Sequence, residues 1–187
     1  MKKLIIAILV ILAVFGGKRL PGLVSEHIQA KNVANTAEYN QAISAILEAN
    51  KLALTHSDHF INDNFSPSAA ADDITKIRNM LYRIDAEQFP RLPKLHQIAL
   101  HSLQVSHEMI RIRLDAHMVI GRVKHHKITP EQAKLDAAEL ARETDEKLAR
   151  GKGILKELCN YIEAPERTLI GIDQIREQNR QACAKNE

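Results

Sequence analysis

The sequence predicts an all-α protein, an antiparallel bundle of four to five helices behind an N-terminal hydrophobic segment. Seven glycines, six prolines and no tryptophan in 187 residues leave long turn-free runs, which favour helices over a many-stranded sheet. Residues 95–123 also carry apolar side chains at helical spacing on two nearly opposite faces. A helix that is apolar on two faces is usually covered from both sides. We therefore expect this segment to be the central helix of the bundle.

The first 24 residues are predicted to be a signal anchor or signal peptide, and residues 25–187 the helical bundle domain. A short basic start precedes twelve residues without a polar side chain, Leu4 to Phe15, which is the layout of a secretory signal. A cleavage site is poor, because Phe15 stands where a small residue is needed. We therefore favour an uncleaved anchor over residues 4–17, which is short beside the usual span of about 20 apolar residues. The protein is expected in a bacterial inner membrane, with most of the chain facing the periplasm.

The basic charge of the chain is concentrated in this first segment. Four of the 26 Lys and Arg residues lie among the first 19 positions, which leaves 22 basic residues against 23 acidic ones in the remainder. A balanced domain lacks the basic footprint of a nucleic-acid-binding protein. We therefore expect no nucleic-acid partner.

The first two helices are separated by a turn at residues 62–66. Helix one is predicted from about Ser25 to Phe60 or Ile61, and its many alanines indicate close approach of a neighbouring helix. Ser66 is the expected N-cap of helix two, with Pro67 in the first helical position. The side chains of helix one that we expect to be buried are Tyr39, Ala42, Ile43, Ile46, Ala49, Asn50, Ala53, Leu54 and Phe60.

The central helix is expected to open at Pro93 and to end near His125 or His126. One apolar face follows an unbroken spacing of three and four residues, and a second stripe lies nearly opposite it. The first face consists of Leu95, Ile98, Ser102, Val105, Met109, Ile112, Ala116, Val119 and Val123, and the second of Leu100, Leu103, Ile110 and Leu114.

Helix four begins with a strong start signal, in which Thr129 is the expected N-cap and Gln132 completes a capping box. Glycines at 151 and 153 predict a kink or a short break within it. Pro165 then starts a predicted fifth helix, which fades into a polar tail. The expected buried face of helix four is Ala133, Ala137, Leu140, Thr144, Leu148, Leu155, Leu158 and Ile162.

Nine histidines make metal binding the first chemical hypothesis. The best constellation is His56, His59 and Asp63, because spacings of three and seven residues place two imidazoles and a carboxylate on one face of a helix. Zinc and nickel accept these ligands. The alternative is a histidine-rich helix end facing solvent, favoured by the helix dipole. Three further histidines stand about 15–16 Å apart along the central helix, too far for one metal, and are expected to be packed or partly exposed: His96, His107 and His117.

Signatures of catalysis and of cofactors are missing from the sequence. We find no C-x-x-C-H haem site, no Glu-x-x-His pair typical of di-iron bundles, no phosphate-binding loop and no G-x-S-x-G elbow. The sequence therefore predicts a protein that is not an enzyme and holds no cofactor.

Cys159 and Cys183 are the two cysteines of the chain. If helices four and five form a straight hairpin, Cys183 lies about 20 Å from Cys159, whereas a disulfide needs Cα atoms within about 7 Å. A bridge within the chain would require the tail to fold back. An intermolecular bond through Cys183 is the expected alternative use of this thiol.

The function that these observations favour is non-catalytic. The bundle is expected to bind another envelope protein, as an adaptor, sensor-like or inhibitory module, or to associate with itself through the second face of the central helix. The alternative is a metal-binding or metal-responsive bundle that uses His56, His59 and Asp63.

Overall fold

The computed structural model describes the backbone of residues 20–163 and the side chains of residues 36–162. This part of the chain is all helical and contains no strand. The helices are α1 (Leu20–Ile61), α2 (Pro67–Glu87), α3 (Pro93–Lys124) and α4 (Pro130–Glu163). The predicted fold class and helix count are confirmed, although α1 begins five residues earlier than expected. The predicted anchor over residues 4–17 and the predicted fifth helix lie outside the described residues.

Local capping signals start α2 and α4 where the sequence predicts. The Ser66 hydroxyl accepts a hydrogen bond from the backbone N–H of Ala69 at 3.4 Å, and the Thr129 hydroxyl accepts one from the backbone N–H of Gln132 at 3.2 Å. Each bond satisfies one of the orphan donors of a first helical turn. The capping box at α4 is only half formed, because the Gln132 amide donates to Asp136 at 2.7 Å instead of returning to the cap.

The central position of α3 is confirmed. It packs against α1, α2 and α4, whereas α1 and α2 touch each other only slightly. Both of its predicted apolar faces are buried, because α2 covers one face while α1 and α4 flank the other. The fully or nearly fully buried side chains of α3 are Leu95, Ile98, Ala99, Ser102, Leu103, Val105, Ser106, Met109, Ile110, Ile112 and Val119.

Helix α4 runs without a break past Gly151 and Gly153, so the predicted break is wrong. A Cβ at Gly151 would meet Val105 Cγ1 at 3.7 Å, which is ordinary contact, and one at Gly153 would meet nothing within 4 Å. The backbone therefore does not need glycine at either site. Ile154 and Leu158 are buried just beyond them, and this packing offsets the low helix propensity of the two glycines.

The face that α4 buries is rotated from the predicted one. Leu148 and Leu155 are 47% and 42% exposed, because charged residues on the other side of the helix pair with α3. Three antiparallel ion pairs join the two helices along this edge. They are Glu108 with Lys147, Arg111 with Glu143, and Arg122 with Asp136.

Cys159 is disulfide-bonded, and Cys183 is the only other cysteine in the sequence. Whether this bond forms within the chain or between two chains stays a prediction. Cys183 itself lies outside the described residues.

Among the helices that the structure describes, none combines the length and the apolar character needed to cross a membrane.

Candidate functional site: an apolar groove between α1 and α4

An open groove runs between α1 and α4, with α3 as its floor. It exists because α1 and α4 both pack on α3 but make at most slight contact with each other. A hollow in this groove is lined by Asn50 of α1, Val105 of α3 and Leu155 of α4. These residues identify the side of each helix that faces the groove. We call the space along these sides the α1/α4 groove.

Exposed leucine and isoleucine side chains line the α1 bank of this groove. Leu47, Leu54 and Ile61 are 60%, 65% and 74% exposed. At 100° per residue, each lies within about 60° of Asn50 on the helix circumference. Their spacing of seven residues places them in one row, about 10 Å apart. Leu54, which the sequence predicts to be buried, thus belongs to the open edge of the bundle.

The α4 bank carries a second apolar row. Leu148 lies seven residues before Leu155, so the two side chains share one side of α4, and Ala141 continues the row by another seven residues. All three are exposed. The two rows lie near the sides of α1 and α4 that line the hollow, and exposed apolar side chains grouped in this way often mark interaction sites on folded proteins.

A polar contact ties the α1 bank to the floor. The buried hydroxyls of Ser102 and Ser106 donate hydrogen bonds to Asn50 Oδ1 at 3.3 and 2.9 Å. The asparagine therefore satisfies two buried donors of α3 at once, and it fixes the register of α1 along α3.

No family model, curated protein or solved structure matches this chain.

The groove deepens into an apolar cleft where the end of α1 meets the hairpin of α3 and α4. Its volume is about 280 Å³. Phe60 forms one wall, Ala137 and Ala141 of α4 form the opposite wall, and Ile112 and Val119 lie at its base. Arg113 is the only charged residue among those that line it.

The Arg113 guanidinium is half-buried and has no acidic partner among the described residues. Its carbon Cζ lies 5.7 Å from the centroid of the Phe60 ring, a cation–π contact. Its Nε–H is buried and lacks a hydrogen-bond acceptor. Burial lowers the pKa of Arg113 below its ordinary value, because a cation loses hydration without gaining an anion. An unpaired buried donor costs about 1–3 kcal/mol, so this residue is an energetic exception in the bundle.

The sequence reasoning above missed Arg113, yet the sequence holds a signal for it. On a helix, an arginine finds its intrahelical partner three or four residues away. Arg111 has such a partner in Asp115, at 3.5 Å. The corresponding positions around Arg113 hold only apolar residues and a histidine: Met109, Ile110, Ala116 and His117.

The histidines proposed as metal ligands lie beside the cleft, at the turn between α1 and α2. His56 is buried, and its Nε2 is 2.8 Å from Asp73 Oδ2 of α2. The His56 ring also packs edge-on against His59 and Phe65, with centroid distances of 6.4 and 5.8 Å. These contacts support a structural role for His56, which joins the end of α1 to the first turns of α2.

The structure does not assemble the predicted metal-ligand set. Among the side chains of residues 36–162, no group of three or more His, Cys, Asp or Glu residues is placed to hold a metal ion. His59 and Asp63 are exposed, and Asp63 has a left-handed backbone with φ of 57°. Of the three residues, the structure brings His56 and His59 into ring contact.

Three histidines of the central helix, His96, His107 and His117, are partly buried. His96 Nε2 is 2.8 Å from the Ile84 carbonyl oxygen of α2, and His117 packs against Phe65 with a centroid distance of 5.4 Å. His107 lies near Arg78 of α2, and burial is the main cause that lowers its pKa. These residues serve as contacts of α3 with α2 and with the turn that precedes it.

A larger hollow of about 710 Å³ lies on the other edge of the α3–α4 hairpin. Its charged lining includes Arg122 and Asp136, which already pair with each other at 3.0 Å, and Glu143, which pairs with Arg111. These three charges are satisfied within the protein, and we place the candidate site in the α1/α4 groove because of its exposed apolar rows.

Proposed function

We propose that this protein is a non-catalytic binding module, tethered to a bacterial inner membrane by residues 4–17, whose bundle faces the periplasm. Its α1/α4 groove would bind an amphipathic helix of another envelope protein. The observation that carries the proposal is the pair of apolar rows on the groove banks, led by Leu47 and Leu54 on α1 and by Leu148 and Leu155 on α4.

The shape of the groove favours a helix as its occupant. Two nearly parallel banks over a helical floor offer the place of one further member of the bundle, and amphipathic helices bind such grooves through apolar residues at spacings of three, four and seven. The row from Leu47 to Ile61 is about 21 Å long. A partner helix of about 14 residues would match it.

The tether is supported by the sequence of the N-terminal segment. Residues 4–15 carry no polar side chain and follow a basic start, and the acidic and basic residues of the remaining chain nearly balance. A periplasmic binding domain held close to the membrane would meet envelope partners without needing a charged surface for attraction.

A photo-crosslinking experiment tests the groove directly. Benzoylphenylalanine is placed at Leu54 in the full-length chain, expressed in the cells to which the protein is native. The matched control carries it at Tyr82 of α2, which is also exposed, at 77%, but lies outside the groove. We expect a discrete adduct from position 54 that is lost when Leu148→Ser and Leu155→Ser are added on the opposite bank.

The adduct's mass separates the two expected partners. A mass of twice the chain identifies self-association, and any other discrete mass identifies a different protein. Equal adducts from positions 54 and 82, or an adduct that survives both serine substitutions, would refute binding in the groove.

The tether has its own test. A C-terminally tagged copy that pellets with membranes, resists carbonate extraction and retains its first residues supports the anchor. A soluble product that is shorter by the length of a signal peptide would show that the segment is cleaved.

A further inference from the structure

The cleft at Phe60 and Arg113 combines two properties that a folded protein rarely joins without a ligand. Its lining is almost wholly apolar, and it contains one cation. None of the ion pairs of the described residues includes Arg113. The surrounding protein therefore offers this charge a phenyl face and no anion.

We propose that this cleft binds a medium-chain carboxylate, with the carboxylate paired to the Arg113 guanidinium and the alkyl chain lying between Phe60 and α4. This proposal does not rest on the partner helix proposed above, although Ala141 lines both the groove and the cleft.

Charge and geometry select the head group. The planar guanidinium fork matches a carboxylate in bidentate geometry, and the contact with the Phe60 ring supplies no anion. The Nε–H that now lacks an acceptor would gain one if it took part in this pair. A neutral head group would leave the cation as poorly satisfied as it is in the free protein.

The size and lining of the cleft select the tail. A volume of about 280 Å³, at ~30 Å³ per water-sized group, accommodates about nine such groups. The walls are phenyl, isopropyl-like and methyl surfaces from Phe60, Val119, Leu140 and Ala141, which favour a saturated chain over a polar ligand. The alkyl chain of octanoate, which has seven carbons beyond the carboxylate, fits within this volume.

The probe is octanoate labelled with ¹³C at its carboxyl carbon, titrated into the full-length protein in lipid nanodiscs. Empty nanodiscs report the chain's partition into lipid, which is subtracted. We expect saturable binding with a Kd on the order of 0.1–1 mM, as is usual for a ligand of this size. Uncharged 1-octanol should bind at least tenfold more weakly.

Two variants remove the site in different ways, and one serves as a control. Arg113→Met removes the cation and should weaken binding at least tenfold. Ala141→Leu fills the cleft from an exposed position and leaves the arginine in place. Arg122→Met removes another arginine of α3, one that already pairs with Asp136, and should leave octanoate binding unchanged.

The outcomes distinguish this proposal from its alternatives. The site is supported if Arg113→Met and Ala141→Leu both lose saturable binding of octanoate and Arg122→Met keeps it. The proposal is overturned if the Arg113 and Arg122 variants bind octanoate equally well. It is also overturned if the parent protein shows no saturable binding at octanoate concentrations up to 10-fold above the expected Kd. Circular dichroism of each variant confirms its folding, and Ala141→Leu still decides the question if Arg113→Met fails to fold. Neither result depends on whether a crosslink forms at Leu54.

Discussion

The two faces of the central helix α3 are both buried, but they differ along their edges. The face toward α2 is closed, and Leu103 and Ile110 are fully buried there together with Ile77 and Ile84 of α2. The face toward α1 and α4 is buried as well, but leucine and isoleucine side chains of those two helices remain exposed along its edges. Similar apolar composition thus produces a packed interface on both faces of α3 and an exposed apolar edge on one of them.

This difference separates the residues that hold the fold from those available for binding. Stability should depend mainly on the buried side chains of α3 and its neighbours, such as those of the closed face, because buried apolar area is the largest favourable contribution to folding. The groove banks contribute less to stability, since they already contact water in the folded state. The predictions that follow test this division, beginning with the largest effect.

Leu103→Ala should lower the free energy of unfolding by about 2–5 kcal/mol, because it creates a cavity in the closed face. Leu54→Ala on the groove bank, the same chemical change at a site that is 65% exposed, should alter it by no more than about 1 kcal/mol. Urea unfolding followed by circular dichroism measures both. Equal losses would show that the groove is as much a part of the core as the closed face.

Asn50→Ala tests the polar contact between α1 and the groove floor. It removes the acceptor of two buried serine hydroxyls, and we expect a loss of about 1–3 kcal/mol. The triple change that adds Ser102→Ala and Ser106→Ala removes the stranded donors as well. Urea unfolding should show partial recovery of stability in the triple variant. No recovery would mean that water already satisfies the hydroxyls.

Arg113→Met should leave the stability of the unliganded protein unchanged or raise it by up to about 1 kcal/mol, because it removes a half-buried cation that has no anionic partner among the side chains of residues 36–162. Thermal unfolding measures the change, with Arg113→Ala as a control that removes the packing of the side-chain stem as well. A clear loss of stability in the methionine variant would show that the contact with Phe60 stabilises the fold more than burial of the charge destabilises it.

His107 gives the closed face a pH dependence. Burial, assisted by Arg78, lowers the pKa of this histidine in the folded protein below its ordinary value of 6.5. The unfolded chain therefore binds the proton more readily, and stability falls as the pH drops below 6.5 toward the folded pKa. Urea unfolding at pH 7.5 and 5.5 should show a smaller difference in His107→Gln than in the parent. His101→Gln, at an exposed position on the same helix, is the control.

The sequence was sufficient to predict which segments are helical and which helix is central. Pro67, Pro93 and Pro130 mark the first positions of three helices, and the two apolar faces of α3 need only helical periodicity to be recognised. These features are local or depend on one helix at a time, and single-helix patterns report them well.

The groove could not be predicted in the same way, because it depends on how α4 is rotated about its axis. The periodicity of Leu148 and Leu155 indicates a buried stripe, but the pairing of Glu143 and Lys147 with α3 turns these leucines toward the open edge. Such cross-helix pairs have no fixed spacing in the sequence. The partner of His56 could not be predicted for the same reason, since Asp73 lies on another helix.

The arrangement of three helices around one shared neighbour has a consequence for motion. Because α1, α2 and α4 depend on α3 more than on one another, each outer helix can open without dismantling the remaining contacts, as a separate cooperative unit. Amide hydrogens of α3 should then exchange more slowly than those of any outer helix. Opening of α1 or α4 would widen the groove while the closed face between α2 and α3 stays intact. The groove could then bind partners of different widths while that half of the bundle stays rigid.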